Sequence, residues 1–231
     1  MSEALKKVDG IRHLPLFPLP LVLVPNEPLP LHIFEDKYRK MLGDVTDEHK
    51  LFGIILFEPN DAFADRPEIG SIGCVAELND VQSLPDGRSN IVVTGVVRFR
   101  LLEYLESEPY LVGDLEFFED DVADEKELAP IAERVFGMFE RVAKAAFKLS
   151  GNRGRFSEMK RTDPESFSFL ATAAFNFEND LKYRLLEMTS TIERLQKLEE
   201  ILLKTVDQME ASADLHKVIK TNGHSKKKLD I

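Results

Sequence analysis

Residues 14–38 read Leu14-Pro-Leu-Phe-Pro-Leu-Pro-Leu-Val-Leu-Val-Pro-Asn-Glu-Pro-Leu-Pro-Leu-His-Ile-Phe-Glu-Asp-Lys-Tyr38, and the fold turns on how this stretch is understood. Its six prolines (Pro15, Pro18, Pro20, Pro25, Pro28 and Pro30) would suit a linker. Yet every other position before Pro30, except Asn26 and Glu27, is apolar. A flexible linker is polar, so this segment has to be buried. Proline lacks the donor that a central strand needs. The segment is therefore expected to form short strands with prolines at their ends or edges, turning into a helix at Phe34-Glu35.

Outward from that segment, residues 11 to about 121 read mainly as strands. Lys50-Leu-Phe-Gly-Ile-Ile-Leu-Phe-Glu58 is an apolar run bounded by Pro59-Asn60-Asp61, as a fully buried strand would be. Ile72–Ser83 and Asn90–Glu103 flank Leu84-Pro-Asp-Gly-Arg88, whose Asp86-Gly87 pair tolerates positive φ and predicts a hairpin. Gly95 interrupts the second arm, the mark of a bulge or a close backbone approach. Tyr110–Phe118 adds a last strand, and a helix is expected near Asp36–Glu48. The acidic run Glu119–Glu127 reads as a solvated connector. Beyond it, Leu128, Ile131, Val135, Met138, Val142 and Leu149 recur at helical spacing up to Gly151-Asn-Arg-Gly154. Asp163-Pro164 starts a second helix as N-cap and first helical residue. A third is expected from about Asn179 to Gln208, with Leu181, Leu185, Met188, Ile192, Leu195, Leu198 and Leu202 on one stripe.

The bulk numbers fit a globular protein. The chain has 231 residues and 43% hydrophobic content, enough for one large domain or two small ones. Its net charge of −11 is uneven: residues 211–231 carry five Lys against Asp214 and Asp230, so the remainder carries −14. An acidic body repels phosphate backbones and disfavours nucleic acid and anionic membrane as partners. The single cysteine, Cys74, excludes an internal disulfide and any cysteine-based zinc site, and its apolar surroundings read as a buried hydrophobe. The start, Met-Ser-Glu-Ala-Leu-Lys-Lys, is not a signal peptide, and no apolar run is long enough to span a membrane. A soluble, cytoplasmic protein is expected.

Several spaced motifs resemble the N-terminal substrate-recognition domain of the Lon protease family. They are Leu14-Pro15-Leu16 with Pro18-Leu19, then Pro30-Leu31-His32-Ile33-Phe34-Glu35 followed by Tyr38. Gly73, Leu84-Pro-Asp-Gly87, Gly95, Arg98-Phe99 and Tyr110 follow in step. The likeness covers about residues 11–208. It implies an α+β fold: a β-rich, PUA-like pseudo-barrel subdomain over residues 11–121 with one inserted helix. A C-terminal α-helical bundle would follow over 122–210, and a basic tail, 211–231, is expected to be disordered. It also implies a binding role, toward unfolded or partner polypeptide, with a protease and a second copy of the chain as further partners.

The family's chemistry does not carry over. ATP hydrolysis needs a Gly-x4-Gly-Lys-Ser/Thr loop, and this sequence contains no Gly-Lys dipeptide. No Ser-Lys peptidase domain is expected in it either. His13, His32, His49, His216 and His224 show no ligand spacing. His32 and Glu35 sit at a strand-to-helix corner, where a capping role is favoured over a metal or acid–base pair. Gly151-Asn-Arg-Gly154 is read as a helix stop rather than a nucleic-acid loop. No catalytic residue, cofactor or metal is expected, and the protein is expected not to be an enzyme.

The binding candidates are Phe63 and Arg66 in the polar loop 59–67, Phe117 and Phe118 at the junction of the subdomains, and Phe156 and Met159 ahead of the second helix. Phe63 reads either as an anchor for a partner or as a plug over the barrel end, and the other aromatics either as anchors or as core. The function expected is polypeptide or protein-partner binding, as an adaptor or chaperone-like factor in protein quality control. The alternative is a small-ligand sensor using the cleft between the two subdomains.

Overall fold

A computed structural model describes residues 2–58, 65–150, 156 and 159–222. The elements are α1 (Glu3–Lys7), β1 (His13–Leu19), β2 (Pro28–Ile33), α2 (Asp36–Asp47), β3 (Leu51–Leu56), β4 (Ile72–Ser83), β5 (Ser89–Glu106), β6 (Leu111–Phe118), α3 (Glu125–Leu149), α4 (Pro164–Ala174), α5 (Asn179–Glu187) and α6 (Thr191–Asn222). The fold is α+β. No helix among the described residues is long and apolar enough to cross a membrane.

The six strands run in the order β2-β5-β4-β3-β1-β6, and a further β5–β6 pairing closes five of them into a barrel. This works because β5 is long. Its first part pairs with β2 and β4, and its last part with β6. Alternation then sorts the core. Leu14, Leu16, Leu51, Ile55, Val75, Val97, Phe99 and Leu101 pack in one cluster, while Phe52, Ile54, Cys74, Ala76, Ile91 and Val93 pack in another with Met41, Leu42 and Val45 of α2. β3 is buried on both faces, so it reads as a continuous apolar run. The bulge foreseen at Gly95 is present as a register shift between Cys74 and Ala76. A Cβ at Gly95 would run into the Val24 carbonyl.

The prolines sit differently from the expectation. Pro28 and Pro30 do lie on an edge strand, β2, whose partner is β5. Pro15 and Pro18, however, lie inside β1, which has a neighbour on each side. Pairing with β6 covers His13–Leu16, and pairing with β3 covers Leu16–Leu19. The Arg12 carbonyl accepts from Leu115 of β6 and the Leu19 carbonyl from Phe57 beyond β3, which sets the alternation. Pro15 therefore aims its nitrogen at the β3 side before that pairing begins. Pro18 aims its own at the β6 side after that pairing has ended. Neither removes a ladder bond.

By Cα proximity the chain forms two compact units, one of Met1–Asp121 with Phe169–Thr189, the other of Val122–Ser168 with Ser190–Ile231. The stretch expected to be wholly helical subdomain, 122–210, is thus shared. Residues 169–189 pack with the β part, where Phe169 and Leu186 meet Val22, Val24 and Ile72 and the Ile72 N–H donates to the Tyr183 hydroxyl (2.9 Å). In the second unit Phe136 and Phe139 of α3 pack on Phe167, and Arg194, fully buried, donates to the Ser168 hydroxyl (2.7 Å).

Three further expectations change. The single helix from 179 to 208 is two, because Met188 is extended and Ser190 starts α6, its hydroxyl accepting from the Glu193 N–H (3.2 Å). The acidic run 119–127 is no solvated connector throughout. Asp120 is buried against Arg98, Asp124 caps α3, and 125–127 form its first turn. The helix α6 also continues to Asn222, well into the tail expected to be disordered; Ala211, Ala213, Leu215 and Lys217 are good helix formers. Helix α1, capped by the Ser2 hydroxyl, was not foreseen.

Candidate functional site

The barrel has a seam, and two prolines open it. The β1–β6 ladder pairs Leu14 with Gly113 and Leu16 with Leu111. Continued by one step, the next hydrogen-bonding pair would be Pro18 with Pro109. Neither residue has an N–H, so the two strands part there. The gap is a groove of about 420 Å³ lined by Pro18, Tyr38, Phe57, Pro109, Tyr110 and Leu111, with Lys37, Asp65, Arg66, Ser107 and Glu108 around it.

The two wall tyrosines are held from behind. Tyr38 comes from α2 and tilts against Phe17 of β1, ring centroids 4.2 Å apart. Burial raises its phenol pKa, with Lys37 opposing. Tyr110 donates to the Asp44 carboxylate of α2 (2.7 Å). Burial first, then that bond and the charges of Asp44, Glu48 and Glu106, push its pKa up to about 12. On the rim, Arg66 lies over the Tyr104 ring (4.6 Å) and donates to the Ser107 hydroxyl (3.3 Å). Tyr104 donates to the Pro67 carbonyl (2.6 Å), and burial pushes its pKa up to about 12. The groove is thus a set of aromatic and prolyl faces, two of them anchored tyrosines, with charged side chains at its lip, suited to holding an apolar group in contact with polar chain.

The candidate residues read from the sequence scatter. Arg66 is in the groove. Phe63 lies outside the described residues, as does Gly151-Asn-Arg-Gly154. Phe117 and Phe118 alternate on β6. The first packs on the Leu14, Phe99 and Leu115 cluster, the second beside Val22, Ile72 and Phe169 with Arg98 over its ring (4.6 Å). Phe156 belongs to the other unit and meets Phe147 edge-on (5.8 Å), and Met159 is half-buried in the same unit. The groove's main walls, Pro18, Tyr38, Phe57, Pro109 and Tyr110, were not singled out for binding. Their signal lies in the register of two strands far apart in sequence, which no local pattern carries.

Other features are smaller or serve the fold. His32 and Glu35 part company: His32 Nδ1 is 2.8 Å from Asn90 Oδ1, while Glu35 pairs with Lys37 (3.6 Å). His32, Pro30, Asp80, Asn90 and Val92 line a shallow hollow of about 320 Å³ on the outer sheet face. Cys74 is fully buried, and burial pushes its thiol up to about 12. Among the described residues no group of three or more His, Cys, Asp or Glu could hold a metal ion.

Comparison with known proteins agrees with this architecture. Residues 13–204 match the family model described as the ATP-dependent protease La (LON) substrate-binding domain. Among curated proteins the chain is similar to the Lon protease of Brevibacillus choshinensis, 28% identical over 196 residues, covering 84% of this chain and 25% of that protein. It is similar to the Lon protease of Heliobacterium modesticaldum at 26% over 215 residues, covering 91% and 26%. The chain spans about a quarter of the length of these relatives. Among solved structures it resembles a Lon N-terminal domain protein from Xanthomonas campestris, with a TM-score of 0.61, 23% identity, and 82% and 98% of the two chains covered. It also resembles the N-terminal domain of a Mycobacterium avium complex Lon protease, with a TM-score of 0.59, 19% identity, and 83% and 98% covered. At such identities the two structures attest the fold.

Proposed function

We propose that this chain binds polypeptide segments through the seam groove: it belongs to the ATP-dependent protease La (LON) substrate-binding domain family, matched over residues 13–204. The observation that supports the site is the aromatic- and proline-walled gap beyond the last β1–β6 pair, lined by both Pro18 and Pro109. An extended peptide cannot extend the sheet there, because the strand edge it would meet lacks donors at those positions. Instead a large apolar side chain enters between Tyr38, Phe57 and Tyr110, and the segment's backbone runs along the lip. Of this role we read the chain as the non-catalytic part: an adaptor or chaperone-like factor that holds exposed apolar segments, with delivery to a protease as its use.

The test is fluorescence anisotropy with a labelled, permanently unfolded polypeptide. Ser107 is exposed at the lip, and the bond given to it is the weak one from Arg66, so Ser107→Trp fills the groove from outside. The native chain is expected to bind, and Ser107→Trp to bind at least roughly tenfold more weakly, about 1.4 kcal/mol, with unchanged circular dichroism. No binding by the native chain rejects the role. Equal binding by Ser107→Trp rejects the groove.

A further inference from the structure

The groove's charge and hydrogen-bonding capacity are lopsided, and this bears on which segments it takes. Its two cations are engaged already. Lys37 pairs with Glu35 (3.6 Å) and lies over the Tyr38 ring (4.7 Å). Arg66 pairs with Asp65 (3.9 Å), donates to Ser107 and lies over Tyr104. The carboxylates are in excess. Glu108 is in the wall, and Asp44, Glu48 and Glu106 are close enough to Tyr110 to act on its phenol. Asp44 is taken by Tyr110 and by Lys40 (3.2 Å). Glu106 and Glu108 have no ion-pair partner among the described residues, and both are exposed.

The backbone leans the same way. Pro18 aims its carbonyl, like its nitrogen, at the β6 side, beyond the last β1–β6 pair, and Pro109, which lines the same gap, cannot donate to it. The lip therefore offers acceptors and unpaired negative charge, while its two cations already stand beside carboxylates of their own. A ligand that brings donors and positive charge meets both needs. A phosphate- or carboxylate-rich ligand meets neither.

We propose that the seam groove selects basic, apolar-anchored polypeptide: a large aliphatic or aromatic side chain between Tyr38, Phe57 and Tyr110, with a Lys or Arg one or two residues away facing Glu106 and Glu108. This names the substrate class of the polypeptide-binding site proposed above and rests on that reading. Glu108 lines the groove and Glu106 acts on the Tyr110 phenol, so one or two residues of extended chain, about 3–7 Å, carry the cation from the anchor to the lip. The excess negative charge of residues 1–210 draws such segments in from longer range and speeds encounter.

Three labelled peptides of equal length and identical Leu-Phe centre, flanked by Lys, by Ser or by Glu, decide it by anisotropy. The Lys-flanked peptide is expected to bind about tenfold more tightly than the Ser-flanked one at low salt and the Glu-flanked one more weakly still, with the spread shrinking as salt rises. Glu106→Lys with Glu108→Lys, both at exposed positions, should invert the Lys and Glu peptides. Equal binding by all three, or a Lys preference untouched by the double variant, overturns the charge selection and leaves the polypeptide reading standing. If none of the three binds, and the unfolded polypeptide does not either, both fall.

Discussion

Arg98 is the residue whose loss the β unit should feel most. It is 1% exposed and its guanidinium makes three kinds of contact. It pairs with Asp120 at 2.6 Å, itself 3% exposed, donates to the carbonyls of Leu186 (3.0 Å) and Met188 (2.6 Å), and lies between the rings of Phe118 (4.6 Å) and Phe169 (5.2 Å). It thereby fastens the end of α5 and the exit of β6 to the barrel wall. Arg98→Met keeps much of the apolar contact and removes the cation. Taking its guanidinium from a buried carboxylate costs about 3–5 kcal/mol, and the two carbonyls that lose a donor add about 1–3 kcal/mol each, with overlap between the three. A total near 5 kcal/mol is expected, against a typical domain stability of about 5–15 kcal/mol. Arg98→Met with Asp120→Asn removes the buried charge as well and should recover about 2 kcal/mol of that loss. The assay is urea unfolding read by tyrosine fluorescence. The chain has no Trp, and all four of its tyrosines lie in the β unit, so the signal reports that unit alone. With a slope of about 2 kcal/mol per molar urea, Arg98→Met should lower the midpoint by about 2.5 M or leave the unit unfolded. A loss under about 1 kcal/mol, or a double variant less stable than the single, would refute the account.

Two further outcomes are expected. The same four tyrosines all have raised phenol pKa values, Tyr104 and Tyr110 to about 12, with burial the main cause in each. The folded state therefore holds protons that the unfolded chain releases near 10. The stability they contribute is complete below pH 10 and is lost as pH rises toward 12, so phenolate absorbance and loss of circular dichroism should rise together, whereas ionisation near 10 in an intact fold would contradict the burial. Gly95→Ala would force a methyl into the Val24 carbonyl, which is backbone and cannot turn aside, and should cost about 2–3 kcal/mol by the urea assay; a neutral substitution would disprove the close approach.

What was legible in the sequence was local. The hairpin at Asp86-Gly87 shows because Gly87 needs its positive φ (82°) and the Asp86 side chain accepts from the Arg88 N–H (3.1 Å). Gly95 shows because a glycine inside a strand needs a reason. The opening motif also pointed to the right family. What was not legible depended on distant partners. Asp120 looks like one more member of an acidic run, and only the side of the barrel it shares with Arg98 makes it buried. The break between α5 and α6 is hidden because Leu185, Met188, Ile192 and Leu195 keep helical spacing across it, although the Thr189-Ser190-Thr191 sequence is a plausible start signal for α6. The groove depends on the meeting of Pro18 with Pro109, ninety-one residues apart in the chain.

The prolines can be understood together once each nitrogen is assigned a side. The Glu27 carbonyl accepts from Gly95 (3.0 Å) and so faces β5. By alternation, Pro28 and Pro30 turn their nitrogens to the open edge of β2, leaving His32 as the one outward N–H donor of that strand. An edge with a single donor is a poor template for another strand, and the exposed end of the sheet is protected against pairing with a second copy. Pro15 and Pro18 stand where β1 has a neighbour on the opposite side only. So four prolines occupy strand positions at which no ladder bond is lost, which is why a segment with the proline content of a linker can fold as sheet. The consequence differs between the two places. At β2 the missing donors protect an edge that is in any case exposed. At the seam they hold apart two strands that would otherwise zip closed over Tyr38, Phe57 and Tyr110, so the feature that first suggested a linker is, in the proposed reading, what keeps the binding groove open.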